Sequence, residues 1–403
     1  MKTRADTIAS RVVAAASRPV RPWLHITVSP RLAGFLVAVG ARSAPAQRGE
    51  NLRNATLSGA YLRRVDLADQ DLTDANLAAA DLRGADLAGA NLTEARLTDA
   101  NLAGADLRDA DLTGAILTQA KLTDANLIGA ILAYADLRGA NLAGASLTGA
   151  SLIRARVTGA NLAGADMVRV NLAYATLGGD IQPGACLHAA DLTDANLTGA
   201  DLAGANLTDA NLTGADLAGA DLRGADLTGA ILTHAKLTDA TLIGARLRGA
   251  SIIDAHLTGA DLTVANLAEA RLTGAHLTGA NLTRAYSLAA GLNDVDLTHA
   301  NLTDAYLGEA ILARADLTDT NLTGADLTRA NLVRANLAGA KLVDADLTAA
   351  DLAGMLWSAH TEWPGATAEA MKTRSEEVRP GIWRVVGSGP ADAETGAPRV
   401  PIR

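Results

Sequence analysis

Between Leu52 and Leu352 a leucine returns at every fifth residue through about sixty consecutive pentads, with conservative replacements at Val157, Met167 and Ile252. The frame is never shifted. In a helix each leucine would sit about 140° round from the last, so the leucines would face every direction. A single continuous strand fails as well, because an odd period sends successive leucines to opposite faces. The pattern is satisfied if each pentad is a short extended piece followed by a corner. The leucine and the alanine two residues before it then lie on one side, and the other three positions point outward. Those positions read Asp or Asn before the leucine, Thr, Ala or Arg after it, and very often Gly last, where a turn calls for the positive φ that Gly adopts at least cost.

An interior built this way holds branched side chains and methyl groups and nothing larger. Val65, Gln70, Val170, Asp180, Val295 and Thr320 stand at the alanine position and mark places where it must widen. The stretches ADLRG, ANLTG and ADLAG match the motif A(D/N)LXX, and over about three quarters of its length the chain resembles the pentapeptide-repeat family. That resemblance implies an all-β solenoid: a right-handed quadrilateral parallel β-helix with four pentads to a coil, which makes residues twenty apart neighbours. The repeat would then form about fifteen coils and, at roughly 4.8 Å between strands, a column about 70 Å long. Short non-repeat segments at the N- and C-termini would cap it.

Three segments follow: a basic segment over 1–50, the repeat over 51–354, and a tail over 355–403. All four tryptophans, Trp23, Trp357, Trp363 and Trp383, and the single phenylalanine, Phe35, lie outside the repeat. That distribution suits caps, since an open end would expose leucines and unpaired edges and pair with a second copy, as a homodimer or a polymer. The tail reads as a turn, a short helix near Ala366 to Glu377 and a strand near Gly381 to Gly387, a cap in preference to an independent binding module. The formal charge of −9 is unevenly spread: the first fifty residues carry roughly +6, the tail balances, and the repeat holds about −15. No stretch approaches the roughly 20 apolar residues of a membrane span. The run LAGFLVAVG, Leu32 to Gly40, followed by Ala44 to Ala46, has features of a secretory signal, but its basic lead is long and Arg42 follows directly. A cytoplasmic location is expected, with secretion as the alternative. The basic segment could contact anionic lipid or nucleic acid; the acidic repeat is not expected to bind nucleic acid.

Two pentads lose the pattern, Asp180 to Gly184 (DIQPG) and Ala285 to Ala289 (AYSLA), where Ser287 occupies the leucine position. Neither inserts a residue, so each is read as a local bulge or bend, with a hinge or partner notch as the sharper alternative. The stretch Asp111 to Ala130 nearly recurs as Asp226 to Ala245, an internal duplication whose offset of 23 pentads is no multiple of four.

Candidate chemistry is sparse. One cysteine, Cys186, excludes an internal disulfide framework and a cysteine-based zinc site. His188 is near it, but no third orienting group is evident. At the twenty-residue spacing His256 and His276 would lie about 5 Å apart, with Lys236 and Asp296 to either side, and one carboxylate does not complete a metal site. Tyr286 and Tyr306 would stack by the same rule, as simple cross-strand packing or a small sticky ridge. The glycines have no phosphate-cradling context, and paired acids without a cleft do not make a hydrolase. No enzyme activity, metal or cofactor is expected.

What remains is the surface. One face is distinctly acidic, and its first coils hold Asp66, Asp69, Asp86, Asp106 and Asp109, with Asp71 and Asp74 on the adjoining face. The expected function is a non-catalytic, rigid, acidic surface for an unidentified protein partner, the bland alternative being a solvated exterior. The family resemblance implies a more specific alternative, because some of its members mimic duplex DNA, bind DNA gyrase and protect bacteria from quinolones. A duplex 70 Å long would carry about 40 charges at one per 1.7 Å, against about −15 here. The chain also lacks projecting loops and has leucine where the gyrase binders often have phenylalanine.

Overall fold

The computed structural model describes residues 52–177, 183–365 and 367–387. They fall into two compact units that divide between Asp180 and Ile181. In both, the pentads obey one local rule, visible in Asp86–Ala90. The Asp86 N–H donates to the Val65 carbonyl at 2.8 Å and the Leu87 N–H to the Asp106 carbonyl at 2.7 Å. The Ala88 N–H turns back to Asp86 Oδ1 at 3.1 Å. The Gly89 N–H reaches the Arg108 carbonyl at 2.8 Å, and the Ala90 N–H closes a turn on the Leu87 carbonyl at 3.0 Å. Every N–H of the pentad is therefore paired, as a tightly wound backbone requires. The third bond explains the frequent Asp or Asn ahead of the leucine, whose side-chain oxygen completes an Asx turn. A threonine after the leucine adds its hydroxyl, as Thr93 Oγ1 does to Asn91 Oδ1 at 2.7 Å.

These bonds put residues twenty apart in parallel pairing, Asp66 with Asp86 and Asp86 with Asp106 in the first unit, Lys236 with His256 in the second. Leucine and alanine go inward: Leu92, Ala95, Leu212 and Ala215 are each 0% exposed. The expected architecture, however, is corrected. Among the described residues the secondary structure is not an extensive closed quadrilateral β-helix of about fifteen coils; it is one small open sheet of three strands and one short helix, all beyond Met355. Along the pentads, pairing stays at isolated single-residue bridges. The pentad itself imposes this. One bridged residue and its leucine are followed at once by a turn with a left-handed corner, so the extended run falls short of the three or more residues of a strand.

The corner also revises the reason for glycine. Gly89 has φ of 64°, but Asp69 (58°), Tyr134 (60°), Arg154 (58°) and even β-branched Val264 (52°) occupy the same region, at roughly 1–2 kcal/mol each. A second demand acts at some glycines. A Cβ at Gly89 would lie 2.5 Å from Asp69 Oδ1 and one at Gly339 2.0 Å from Asp319 Oδ1, whereas one at Gly104 would meet nothing within 4 Å. Where the corner twenty residues earlier carries a carboxylate folded over the next corner, a side chain there would collide with it.

Three of the larger residues at the alanine position loosen the turn locally, while Val170 closes at 3.1 Å as Ala110 does. The closing N–H to carbonyl distance is 3.4 Å at Val65 and 3.2 Å at Gln70 and Thr320, against 3.0 Å at Ala90. Thr320, 0% exposed, satisfies its hydroxyl by donating to the Leu297 carbonyl at 2.8 Å. Gln70 Oε1 is buried without a partner. Asp180 lies outside the described residues, as do Ile181 and Gln182 of the first interruption. At the second interruption the expected bulge does not occur. Ser287 is buried in the leucine position and its N–H still reaches the Tyr306 carbonyl at 2.8 Å, while Leu288 lies on the outside, 39% exposed.

The tail grows out of the last pentads. Leu356 pairs with Asn336 and Glu362 with Lys341, the latter one residue beyond the twenty-residue step. Strand β1 (Leu356–Ser358) is followed by helix α1 (Thr367–Thr373), β2 (Ser375–Arg379) and β3 (Ile382–Val385). The sheet order is β1-β3-β2, antiparallel throughout. Its aromatic face packs Trp357 against Trp383 at 4.7 Å and edge-on to Trp363 at 5.6 Å, with Trp357, Trp363, Met355 and Val385 buried. The helix stops before Glu377 because the backbone from Arg374 onward is taken up by the sheet: the Val386 N–H donates to the Arg374 carbonyl at 2.7 Å and Ser375 pairs with Val385, while the Ser375 hydroxyl donates to the Met371 carbonyl at 2.7 Å and accepts from Trp357 Nε1 at 3.0 Å.

The corner geometry predicts unequal costs for one substitution. Gly104→Ala is expected to lower the local opening free energy by about 1 kcal/mol, the left-handed backbone alone. Gly339→Ala is expected to cost more, and Asp319→Gly in the same chain to recover the excess, read by amide hydrogen exchange of the flanking pentads. Equal costs at the two glycines would contradict the carboxylate collision.

Candidate acidic interaction surface

The seven acidic residues singled out from the sequence all lie in the first unit and differ in what holds them. The bridges bring Asp66, Asp86 and Asp106 into one column. Asp66 and Asp86 are exposed and accept the N–H groups of Ala68 and Ala88 at 3.2 and 3.1 Å. Asp106 is taken by Arg108, whose Nε and Nη2 reach the carboxylate at 2.8 and 2.6 Å. Asp69 and Asp109 occupy one corner row forty residues apart, each with Oδ1 folded over the glycine that follows in the row, Gly89 and Gly129. Asp71, half-buried, accepts from Thr73 N–H at 3.1 Å and Thr73 Oγ1 at 2.6 Å; its bridge partner is Asn91, not another acid. Asp74 stands at the next corner, 3.9 Å from Arg53 Nη2. The column and the corner row are thus assembled by the register, while Asp71 and Asp74 face other partners.

An internal counter-charge went unnoticed in the sequence. Arginine two residues after the aspartate, the triplet D-L-R, lies on the same side of the intervening inward leucine. It chelates its own aspartate in Asp81/Arg83, Asp106/Arg108, Asp136/Arg138 and Asp221/Arg223. The hydrogen bond from that arginine holds the carboxyls of Asp106, Asp136 and Asp221 below the usual carboxylate range, against a smaller opposing effect of burial. For Asp71 the leading cause is the Thr73 hydroxyl. Elsewhere amides relieve like-charge stacking: Asn211 Nδ2 donates to Thr193 Oγ1 at 2.9 Å and to Asp191 Oδ1 at 3.3 Å.

The remaining candidates do not assemble into chemistry. His256 and His276 stack with ring centroids 5.0 Å apart and 6° between planes. The neighbouring Asp296 carboxylate is already engaged by Thr278 Oγ1 at 2.7 Å and the Thr298 N–H at 3.0 Å. Among the described residues no group of three or more His, Cys, Asp or Glu is arranged to hold a metal. His188 directs Nδ1 to the Thr208 carbonyl at 3.0 Å, and Cys186 is half-buried. No helix of the described residues is long and apolar enough to cross a membrane. The basic segment over 1–50, with its signal-like run, lies outside the described residues.

The family model for pentapeptide repeats (8 copies) matches in overlapping segments spanning residues 51–179, 190–286 and 290–354. The chain belongs to the pentapeptide-repeat family. Similar solved structures include HetL, a pentapeptide repeat protein involved in heterocyst differentiation regulation from the cyanobacterium Nostoc sp. strain PCC 7120. It is 30% identical over 70% of this chain and 88% of its own, with a TM-score of 0.22. A pentapeptide repeat protein of the Arabidopsis thaliana thylakoid lumen is 39% identical over 26% of this chain and 70% of its own, with a TM-score of 0.19. QnrB1, a plasmid-mediated fluoroquinolone resistance protein, is 16% identical over 62% of this chain and 94% of its own, with a TM-score of 0.27. Superpositions this low transfer no residue from one chain to another. No curated protein matches.

The arginine-held carboxylates set a pH dependence. Their native pKa values lie below the unfolded value near 3.9, so the stability they contribute is complete above that pH and is lost as the pH falls through the lowered native values. Arg108→Met is expected to move the Asp106 titration, followed by carboxyl carbon NMR, back up toward the ordinary range. An unmoved Asp106 would show that the arginine is not the cause.

Proposed function

We propose that the chain is an interaction protein that offers the carboxylates of Asp66, Asp69, Asp86 and Asp109, with Asp71, Asp74 and Asp106 beside them, to a protein partner. The supporting observation is the closed interior: leucine and alanine fill the inward positions, so specificity has to be written on the outward ones. The column and corner row hold their acids in fixed register at little entropic cost, which favours binding by a preorganised surface.

Asparagine makes a clean test. Its side-chain oxygen accepts the same Asx-turn hydrogen bond, and it tolerates the left-handed corner. A variant with Asp66, Asp69, Asp86, Asp106 and Asp109 changed to Asn is expected to keep the circular dichroism of the parent, to melt only slightly lower through loss of the Asp106–Arg108 pair, and to lose a partner that the parent captures in a salt-sensitive way. Retention of that partner by the folded variant would count against the acidic surface.

The narrower alternative is a duplex-like strip acting on DNA gyrase. Its support is weaker, since a duplex presents a charge about every 1.7 Å and arginines neutralise part of the acid here. Supercoiling by purified gyrase is expected to be unchanged at micromolar protein, with or without a quinolone; inhibition or protection would favour the strip instead.

A further inference from the structure

The pentad Ala285–Ala289 places a leucine where the rule does not want it. Ser287 takes the inward position and Leu288 goes outside, beside Tyr286 and Tyr306, which are 41% and 51% exposed. The two tyrosines are bridged in parallel, their rings 6.0 Å apart and tilted by 50°. The next residue in the column is Asp326. Its Oδ1 accepts the Thr328 N–H at 2.9 Å, and Oδ2 takes no hydrogen bond from the described residues. Gly308 leaves a notch between them: a Cβ there would stand 3.3 Å from Leu288 Cδ1, 3.4 Å from Thr328 Oγ1 and 3.8 Å from Asp326 Oδ2. Alongside runs an open depression of ≈ 520 Å³ lined by Arg284, Asp304, Tyr306 and Asp326. Near this strip Arg248 pairs with Glu269 at 2.9 Å and Arg329 with Glu309 at 3.2 Å, while Asp346, bridged to Asp326, continues the column as a second carboxylate.

We propose that the Tyr286–Leu288–Tyr306 strip, with Asp326 and Asp304, is a docking site for an arginine-bearing peptide segment of a protein partner, the guanidinium lying on the Tyr306 ring and the neighbouring apolar side chain on Leu288. Charge complementarity selects this occupant. The depression is lined by two carboxylates against one cation, Arg284, which lies 3.6 Å from Asp304 Oδ2. Asp326 therefore supplies an uncommitted anion next to an aromatic face. A guanidinium fits that pair better than an ammonium, because its plane stacks on the ring while its edge donates to the carboxylate. The exposed Leu288 adds the apolar patch and the surrounding ion pairs the polar rim of a small recognition site. The buried serine and exposed leucine break the repeat's own rule without gain to the fold, which is the mark of a surface kept for binding.

The site lies in the second unit, apart from the acids at residues 66–109, and rests only on the reading of the chain as an interaction protein. The test uses the full chain and the peptide acetyl-Leu-Arg-Gly-amide, followed through the ring resonances of Tyr286 and Tyr306. A second peptide with citrulline in place of arginine removes the charge and keeps the shape. Millimolar binding of the arginine peptide is expected, weaker by at least tenfold for the citrulline peptide, for Tyr306→Leu and for Asp326→Asn. Tyr306→Phe keeps the ring and should bind within about twofold of the parent. Equal binding of the two peptides, unchanged binding by folded Asp326→Asn, or perturbations spread over the acidic pentads rather than centred on the tyrosines would overturn the proposal. The five-asparagine variant of the first unit should bind the peptide as the parent does, so failure of this site and failure of the acidic surface are separate results.

Discussion

Five backbone N–H groups need partners in every five residues, and only three of them are served by carbonyls of pentads about twenty residues away. In Asp86–Ala90 those are the bonds from Asp86, Leu87 and Gly89, while Ala90 closes the turn on Leu87. The one left over, on Ala88, is met by the Asp86 side chain. This single need favours Asp or Asn ahead of the leucine, though Ile116, Lys121 and Ile131 among others stand there too. Much of the chain's acidity therefore begins as a structural requirement, because Asp and Asn serve the turn equally well. The information free for function is the choice between them, and the placement of the arginines that neutralise some of the acids.

The same constraint empties the inside of chemistry. An interior of leucine and methyl groups leaves little volume for a ligand, and a larger residue there can stretch the turn, as at Val65. When a polar group is buried it must find a carbonyl, which Thr320 does at Leu297 and Gln70 Oε1 does not. Recognition is thereby confined to side chains standing outward in rows spaced by the bridges. Such rows produce like-with-like neighbours: aspartates in one, histidines in another, tyrosines in a third.

Rows of like residues are balanced in more than one way. Arg154 lies between the exposed rings of Tyr134 and Tyr174, at 5.8 and 5.3 Å from their centroids, so that its cation and both aromatic faces are already matched. Tyr286 and Tyr306 have no such arginine between them, and the carboxylate of Asp326 follows instead. The first row is complete within the chain; the second is left with an unmatched aromatic face and an unmatched anion.

The sequence alone determined which residues go in and which go out, because a strict period of five admits one alternation in which leucine and alanine share a side. The acidic column was legible too, though only through a spacing of twenty supplied by family resemblance. The rest depended on tertiary structure. Strand content could not be read from the pentad, since whether a bridged residue extends into a strand depends on how soon the corner turns, and here it turns at once. The end of α1 was set by the pairing of β2 with β3, which takes the backbone from Arg374 onward. Asp106 is held by Arg108 two residues on, a pairing local to the chain, whereas Asp69 folded over Gly89 and Asp326 beside the Tyr306 column acquire their surroundings from what stands one step above or below, because side chains of equal charge become different chemical groups when their neighbours differ.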